Sequence, residues 1–487
     1  MNYYIIIKED DKMKLNKRHI KKIFLVIIAV VLLLSIYLNT YLVLKYNVLP
    51  IKYLIVYSLI VGLIPIILIY FTIFRKLKRS TQNILMTIEI IYMIVLFVAF
   101  FYLNQTFNFL DVFTSEYDYE TKNYYVLTLN ESDYSDIEEL ENKDIGYAKN
   151  LDSSIANAIR ELDKKIEFNH EEFDGLSESF NALDEQEIEA VLIIDSFYDT
   201  LIEDETNNVK DKYKIIYEFS IKEKIKKIVK DVDVTKETFN VYVSGIDSYG
   251  SVTDQTRSDV NIVMSINPKT NKILMINIPR DYYVELAGKN GKDKLTHAGI
   301  YGVETSLKTI ENLLDIEINY YVKVNYNALI KLVDALDGVD VYSNYSFTSG
   351  KGYHFTKGYN KVNGDKALEF VRTRKAFLDG DRVRGENQQA IIEAVIAKSM
   401  NASILIKYDD ILKALEGSFT TNISTDKIMS LINMQLDKMP KWNLESISLN
   451  GSDGSGFTFT YPTQELYIML PNEETITSAK AAIAELK

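Results

Sequence analysis

Six of the ten arginines lie between positions 257 and 384: Arg257, Arg280, Arg372, Arg374, Arg382 and Arg384. Acidic residues are interleaved with them. Asp247 closes a predicted strand, Asp259 follows Arg257-Ser258, Asp281 follows Arg280, and Asp381 sits between Gly380 and Arg382. The other 45 basic residues are lysines. A guanidinium offers a planar fork that grips carboxylate or phosphate at two points, which an ammonium cannot do. Surface salt bridges are the plain alternative for arginines, and each Asp taken singly reads as a cap or turn residue. The group is what carries information. Carboxylates that hold a divalent cation, with arginines to neutralise the remaining charge, suit a metal-bound pyrophosphate, and a spare carboxylate could take a proton from an attacking hydroxyl.

Other chemistry is thinly represented. The sequence has no GxxxxGK[ST] phosphate loop, no GxSxG elbow and no HExxH helix. It has no cysteine, which removes disulfides, thiolate metal sites and a cysteine nucleophile. His297 could touch a ligand or serve as a structural hydrogen-bonding residue. His170, beside Glu171 and Glu172, reads as a solvated surface residue. The formal charge of −13 argues against nucleic acid as a partner. A chain this acidic that handles phosphate must gather its cations in one place.

The elements around these residues follow from periodicity. Phe239–Ile246 is a predicted strand ending in Gly245-Ile246-Asp247. Val260–Ile266 and Lys272–Ile278 are strands joined by the turn Asn267–Asn271. Val303–Leu314 and Tyr326–Leu336 carry apolar residues at helical spacing, the second stopping at Gly338 before the strand Val339–Tyr342. Gln389–Met400 is a further amphipathic helix, and the six arginines fall in motifs ending or following strands. Upstream, Tyr124–Leu129, Ala190–Ile194 and Tyr213–Phe219 read as strands, Ile155–Leu162 as a helix and Ile221–Lys230 as a lysine-rich helix. Gly451–Gly456 reads as a flexible turn. Alternating strands and helices imply α/β structure, with ligands at strand ends.

Three apolar runs, Ile23–Leu44, Tyr53–Phe74 and Ile84–Leu103, are each long enough for a transmembrane helix, about 20 residues. Pro65 interrupts the second, which a membrane helix tolerates when a neighbour satisfies the freed carbonyl. Lys12, Lys14, Lys17, Arg18, Lys21 and Lys22 precede the first run, and Arg75, Lys76, Lys78 and Arg79 fill the loop after the second. Positive loops stay inside, so the N-terminus is expected in the cytoplasm and the bulk of the chain outside. The expected division is 1–110 for the tail and anchor, 111–236 for a small α/β accessory domain, and 237–487 for the domain bearing the arginines.

The motifs Gly245-Ile246-Asp247, Arg257-Ser258-Asp259, Ile278-Pro279-Arg280-Asp281 and Lys294-Leu295-Thr296-His297-Ala298-Gly299 occur in order. They are followed by Ala367–Arg374, Gly380-Asp381-Arg382-Val383-Arg384 and Gln388-Gln389. In these residues the chain resembles the LytR–CpsA–Psr family of cell-wall glycopolymer ligases, and its three spans and accessory domain resemble the CpsA-like branch. The resemblance implies a central mixed β-sheet flanked by helices, and a membrane protein of a monoderm bacterium. It implies transfer of a glycopolymer (capsular polysaccharide or teichoic-acid-like) with one phosphate, from a polyprenyl pyrophosphate carrier to peptidoglycan. Asp247 and Asp259 would hold Mg²⁺ (or Mn²⁺). Arg257, Arg280, Arg372, Arg374 and Arg384 would grip the pyrophosphate, Gln388 would position phosphate, and Asp381 would be the base. The lipid tail would lie in an apolar tunnel between sheet and helices. The resemblance also admits assembly proteins of the capsule or wall polymer as partners. A non-catalytic scaffold that binds the lipid-linked glycan and a lipid-carrier pyrophosphatase are the alternatives. Val260, Tyr282 and Asn387 depart from residues common in the family, and Asn387 would remove one phosphate contact.

Overall fold

The computed structural model describes residues 2–115, 119–149, 154–203, 209–224, 228–246, 252–377, 380–399, 411, 415, 417–462 and 465–487, with the backbone alone at 2–18, 111–113, 115, 119, 200, 203 and 381. The chain forms two compact units. One is Met1–Val112 with Ser424–Pro440, and the other is Phe113–Ile423 with Lys441–Lys487.

In the first unit, His19–Lys45, Ile51–Phe74 and Arg79–Leu110 are long and apolar enough to cross a membrane. Their contacts include buried polar bonds, which are strong where no water competes. Asn39 Nδ2 donates to Leu96 O at 2.8 Å, and Thr72 Oγ1 donates to Glu89 Oε1 at 2.7 Å. Near Pro65 the second helix widens into a π turn over Ser58–Leu63, and the Tyr92 hydroxyl from the third helix donates to Ile60 O. The neighbour that an interrupted membrane helix requires is therefore present. The helix Thr425–Lys438 belongs to this unit too. Lys52 pairs with Asp437 at 3.3 Å, and Asn433 Nδ2 donates to Asn47 O at 2.9 Å.

The second unit contains two mixed sheets. The first is built from β1 (Tyr119–Leu129), β2 (Asp144–Ala148), β3 (Asn169–Phe173), β4 (Ala190–Ile194) and β5 (Tyr213–Lys224), in the order β3-β2-β4-β1-β5. β4 is buried along its whole length, as its unbroken apolar run requires. The expected helix from Ile221 does not start there. Ile221 to Lys224 extend β5, pairing with β1 through Lys224 opposite Tyr119, because partnering by β1 outweighs the local helical preference of the lysines.

The second sheet comprises β6 (Phe239–Ile246), β7 (Val260–Asn267), β8 (Lys272–Asn277), β9 (Tyr320–Asn325), β10 (Phe419–Thr421) and β11 (Asn443–Ser448). Its order is β10-β9-β6-β7-β8-β11, with β6–β9 and β8–β11 parallel and the other pairs antiparallel. Alternation along the strands sends successive side chains to opposite faces. Tyr242, Val263, Leu274 and Ile276 enter one core with Leu307, Ile310 and Leu314 of the helix Val303–Leu314, and Ile476 and Ile483 of Glu473–Leu486. On the other face, Ile262, Ile273 and Met275 pack with Ile392 and Ile396 of the helix Gly380–Ser399.

Two further expectations change. The helix Gly380–Ser399 begins nine residues before the predicted Gln389, so Arg382 and Arg384 lie in its opening turns and not in a loop after a strand. Arg372 likewise ends a helix, Gly364–Arg372, started by the Asn363 side chain accepting from Lys366 N at 3.1 Å. Gly451–Phe457 is a strand of a hairpin with Glu465–Pro471, since full pairing along its length compensates for its glycines.

Candidate functional site

The site is assembled where three loops meet at one end of β6 and β7. Asp259 N donates to Gly245 O at 2.8 Å, Ser258 N to Thr296 O at 3.1 Å, and Thr296 N to Arg280 O at 2.8 Å. Backbone bonds thus tie four of the motifs together. A side chain at Gly299 would meet Thr256 O at 2.5 Å and Ser258 N at 2.8 Å, so the close approach of those loops requires glycine. Ser258, buried, bonds with the Tyr242 hydroxyl at 3.0 Å and Ser244 Oγ at 2.8 Å, which fixes the loop from below.

Asp259 is the centre of charge. Arg280 Nη1 donates to Oδ2 at 2.9 Å and Thr296 Oγ1 to Oδ1 at 3.0 Å. Burial opposes ionisation, but the guanidiniums of Arg280, Arg384 and Arg257 and the Thr296 hydroxyl hold its carboxyl well below the usual carboxylate range. Arg280 is in turn held from behind. Asp281 lies 3.4 Å from its Nε and 3.2 Å from Lys294 Nζ. Thr296 and Lys294 both orient the site, Thr296 through Asp259 and Lys294 through Asp281.

The helix Gly380–Ser399 supplies Arg384, Gln388, Ile391, Ile392, Val395 and Ile396, a stripe at helical spacing. With Val243 and Gly245 of β6, Val322 and Val324 of β9, and Leu329 and Leu332 of the helix Tyr326–Ala335, it encloses an apolar cavity of about 270 Å³. Asp259, Asn325, Arg384 and Gln388 are polar residues of the cavity wall. Gly385 lets the helix approach Asn277 at the end of β8. An apolar cavity between sheet and helices is therefore present where the tunnel was expected. The stripe was readable from Arg384 onward, but two glycines in Gly380–Gly385 disguised the helix start.

The structure groups Arg257, Arg280 and Arg384 around Asp259 and sets the other arginines apart. Arg372 lies over the Tyr326 ring, 4.7 Å from its centre, and Tyr326 lines the apolar cavity. Arg372 and Arg374 also line a second, polar cavity of about 530 Å³. Arg382 is exposed and pairs with Glu386 at 2.5 Å along the helix, the ordinary surface arrangement. Asp247 lies outside the described residues. Asp381 lies in the first turn of the helix Gly380–Ser399, and its side chain lies outside the described residues.

His297 is structural. It is buried, with Nδ1 2.6 Å from Asp293 Oδ1, and Asp293 Oδ2 accepts from Thr460 N at 2.8 Å. His170 is exposed beside Asp163, as its setting implied. The three departures from the family pattern are packing residues. Val260 fills the space against Gly245. Tyr282 is fully buried, its hydroxyl donating to Asn450 O at 2.5 Å. Asn387 is buried and donates to Phe370 O at 3.0 Å, tying the helix Gly380–Ser399 to Gly364–Arg372.

Asp259 offers a hard-oxygen donor on the cavity wall of the kind Mg²⁺ takes; Asp247 lies outside the described residues, among which no three carboxylates or histidines gather at one point. Mg²⁺ characteristically takes one or two carboxylates and completes its shell with water and substrate phosphate.

Comparison with known proteins matches residues 198–475 to the family model described as the LytR_cpsA_psr family. The polyisoprenyl-teichoic acid–peptidoglycan teichoic acid transferase TagU of Bacillus anthracis is 38% identical over 216 residues, 44% of this chain and 70% of that protein. TagU of Bacillus subtilis strain 168 is 37% identical over 211 residues, 43% of this chain and 68% of its own length. Among solved structures, B. subtilis TagU aligns at 30% identity with a TM-score of 0.41, covering 52% of this chain and 97% of that one. A structure described as TagT bound to LIIa-WTA aligns at 30% identity with a TM-score of 0.43, covering 53% and 94%.

Proposed function

The chain belongs to the LytR–CpsA–Psr family, and on that premise we propose that it is a membrane-anchored phosphotransferase. It moves a glycopolymer of the teichoic-acid or capsular kind from a polyprenyl pyrophosphate carrier onto peptidoglycan, forming a phosphodiester. One observation carries the reading: an apolar cavity whose polar wall includes Asp259, Arg384 and Gln388, with Arg280 and Arg257 acting on that same carboxylate. A polyprenyl pyrophosphate has this polarity, a hydrocarbon tail ending in a concentrated anion. Each methylene buried in the cavity contributes about 0.8 kcal/mol.

The peptidoglycan hydroxyl attacks the phosphorus that carries the glycan. The new P–O bond forms as the bond to the bridging oxygen breaks, and polyprenyl phosphate leaves with that oxygen. Arg257, Arg280 and Arg384 neutralise charge on the pyrophosphate, and their fixed positions require no rearrangement as charge builds on the leaving phosphate. Arg372, at the end of its helix, extends that cationic lining, and Arg374 follows it. Gln388 orients a phosphate oxygen, and Asp381 takes the hydroxyl proton. Asp259 and Asp247 would hold Mg²⁺ (or Mn²⁺), which when bound shields the pyrophosphate charge from the incoming oxygen. The basic loops before the first helix and between the second and third set the N-terminus in the cytoplasm and the site outside the cell membrane.

The test uses the full-length protein in lipid nanodiscs with a lipid-linked glycan and peptidoglycan. Asp259→Ala is expected to abolish transfer and chelation of divalent ions to suppress it. Undiminished transfer by the variant overturns the reading, and release of free glycan phosphate without wall linkage favours a pyrophosphatase.

A further inference from the structure

The two sheets of the second unit meet just upstream of the arginine loop. Beyond its pairing with β4 and β5, β1 bonds to the chain that leads into Arg257. Thr121 N donates to Thr253 O at 3.1 Å, Gln255 N donates to Thr121 O at 3.0 Å, and the Thr121 and Thr253 hydroxyls lie 3.3 Å apart. The result is a parallel bridge between Thr121 and Asp254, three residues before Arg257.

Two buried charges sit at this seam. Lys323, on β9 of the second sheet, donates from Nζ to Asp254 O at 2.6 Å. Glu120, on β1, accepts from Val303 N at the start of the helix Val303–Leu314, and its Oε2 lies 3.2 Å from where a side chain would begin at Gly302. Lys323 thus reaches the loop that brings Arg257 to Asp259, and Glu120 reaches the end of the loop that brings Thr296 there. Gln255, also buried, ties the two loops together, its Nε2 donating to Ile300 O. Farther along, Ser258 N donates to Thr296 O at 3.1 Å. Arg257 is therefore carried on a short stretch of chain held on both sides.

Stability does not account for the two charges. Burial disfavours both, raising the Glu120 carboxyl and lowering the Lys323 ammonium against their mutual attraction. An apolar pair of similar bulk commonly packs as well or better. What the charges add is direction. An ammonium aimed at one carbonyl and a carboxylate aimed at one N–H fix where the loops lie, which packing alone does less sharply.

We infer that Lys323 is the positioning residue for Arg257, and that Glu120 and Thr121 make the first sheet a working part of the site. The inference rests on the transferase reading, in which Arg257 neutralises the pyrophosphate. Lys323 touches no reacting atom. It holds Asp254 O, and through that carbonyl the backbone that presents the guanidinium. The first sheet, which contains none of the motif residues, acts on the chemistry by fixing the same stretch from its other side.

The experiment measures binding without turnover. Calorimetry on full-length protein in nanodiscs, with empty nanodiscs subtracted, compares a short-chain prenyl pyrophosphate with the prenyl alcohol of the same tail. The wild type is expected to bind the pyrophosphate more tightly. Lys323→Met keeps the stem and removes the donor, and is expected to weaken the pyrophosphate about tenfold while leaving the alcohol within about twofold. In an Arg257→Gln background the same change is expected to cost less than about twofold, because its route to the ligand is gone. Glu120→Gln keeps the shape and the bond from Val303 N. It is expected to show the same selectivity with a smaller loss, and it serves as the second variant should Lys323→Met fold poorly. A full loss in the Arg257→Gln background, an equal loss for pyrophosphate and alcohol, or no loss in either variant overturns the inference. A wild type that binds the two ligands alike overturns the transferase reading, and the inference falls with it.

Discussion

Asp259 owes its ionisation to three arginines, and the dependence runs both ways. The carboxylate gives Arg280 a partner at 2.9 Å, and Asp281 holds the same guanidinium from the other side. Arg384 differs, because it is largely buried on the wall of the apolar cavity. Arg384→Met keeps the stem and removes the charge, so transfer is expected to fall by about 10²–10³, the scale seen when one preorganised donor to a developing charge is lost. Steady-state transfer at saturating donor checks this. Asp195 shows the opposite effect of burial. One of its carboxylate oxygens has no hydrogen-bond partner among the described residues, and the other accepts from Asn123 Nδ2 at 2.8 Å. Burial outweighs that bond and pushes its pKa up to about 7. The folded protein therefore holds this proton more tightly than the unfolded chain, and stability declines as pH rises from about 4 to about 7. Asp195→Asn is expected to melt with the wild type at pH 4.5 and above it at pH 8, by a margin on the order of 2 kcal/mol, read by thermal unfolding.

Elements position these residues with little tolerance. Gly299→Ala would press a methyl group against Thr256 O and Ser258 N, both backbone atoms that cannot step aside. The expected cost is about 1–3 kcal/mol, with transfer reduced because the Arg257–Asp259 loop is displaced. A melting curve and a transfer assay on one preparation measure both. The cavity predicts the reverse pattern. Ile392→Phe adds bulk to empty space, so stability should hold while KM for a long polyprenyl donor rises about tenfold and KM for a short-chain donor stays put. How far these elements were legible in the sequence depended on how local their cause was. Phe239–Ile246 and Val303–Leu314 announce themselves through alternation or helical spacing, and the structure gives them those bounds. Ile221 to Lys224 carry lysines at a helical density yet extend β5, because β1 offers a partner more than 90 residues away that no local pattern reveals. The motif arginines were visible as a set. Their division between Asp259 and the polar cavity was not, since Arg372 ends a helix whose direction depends on tertiary packing.

At the scale of the whole molecule, the proposed membrane topology rests on two independent lines. Basic residues cluster before the first helix and between the second and third, and the positive-inside rule expects both places in the cytoplasm. The loop after the first helix is held differently: Asn47 O accepts from Asn433, and Lys52 pairs with Asp437 on the helix Thr425–Lys438. Residues in contact outside the bilayer are on one side of it, so the chain must cross an even number of times between Asn47 and Asn433. The second and third helices, both long and apolar enough to cross, would supply two crossings. If either failed to span, this contact and the charge rule could not both hold. The absence of cysteine makes the point directly measurable, because any introduced thiol is the only one present. Ile51→Cys and Lys438→Cys, both exposed, should react with a membrane-impermeant maleimide on intact cells, whereas Ser80→Cys should react only after permeabilisation. Labelling of Ser80→Cys on intact cells, or protection of Lys438→Cys, would place the arginine site on the wrong side of the membrane for a wall acceptor.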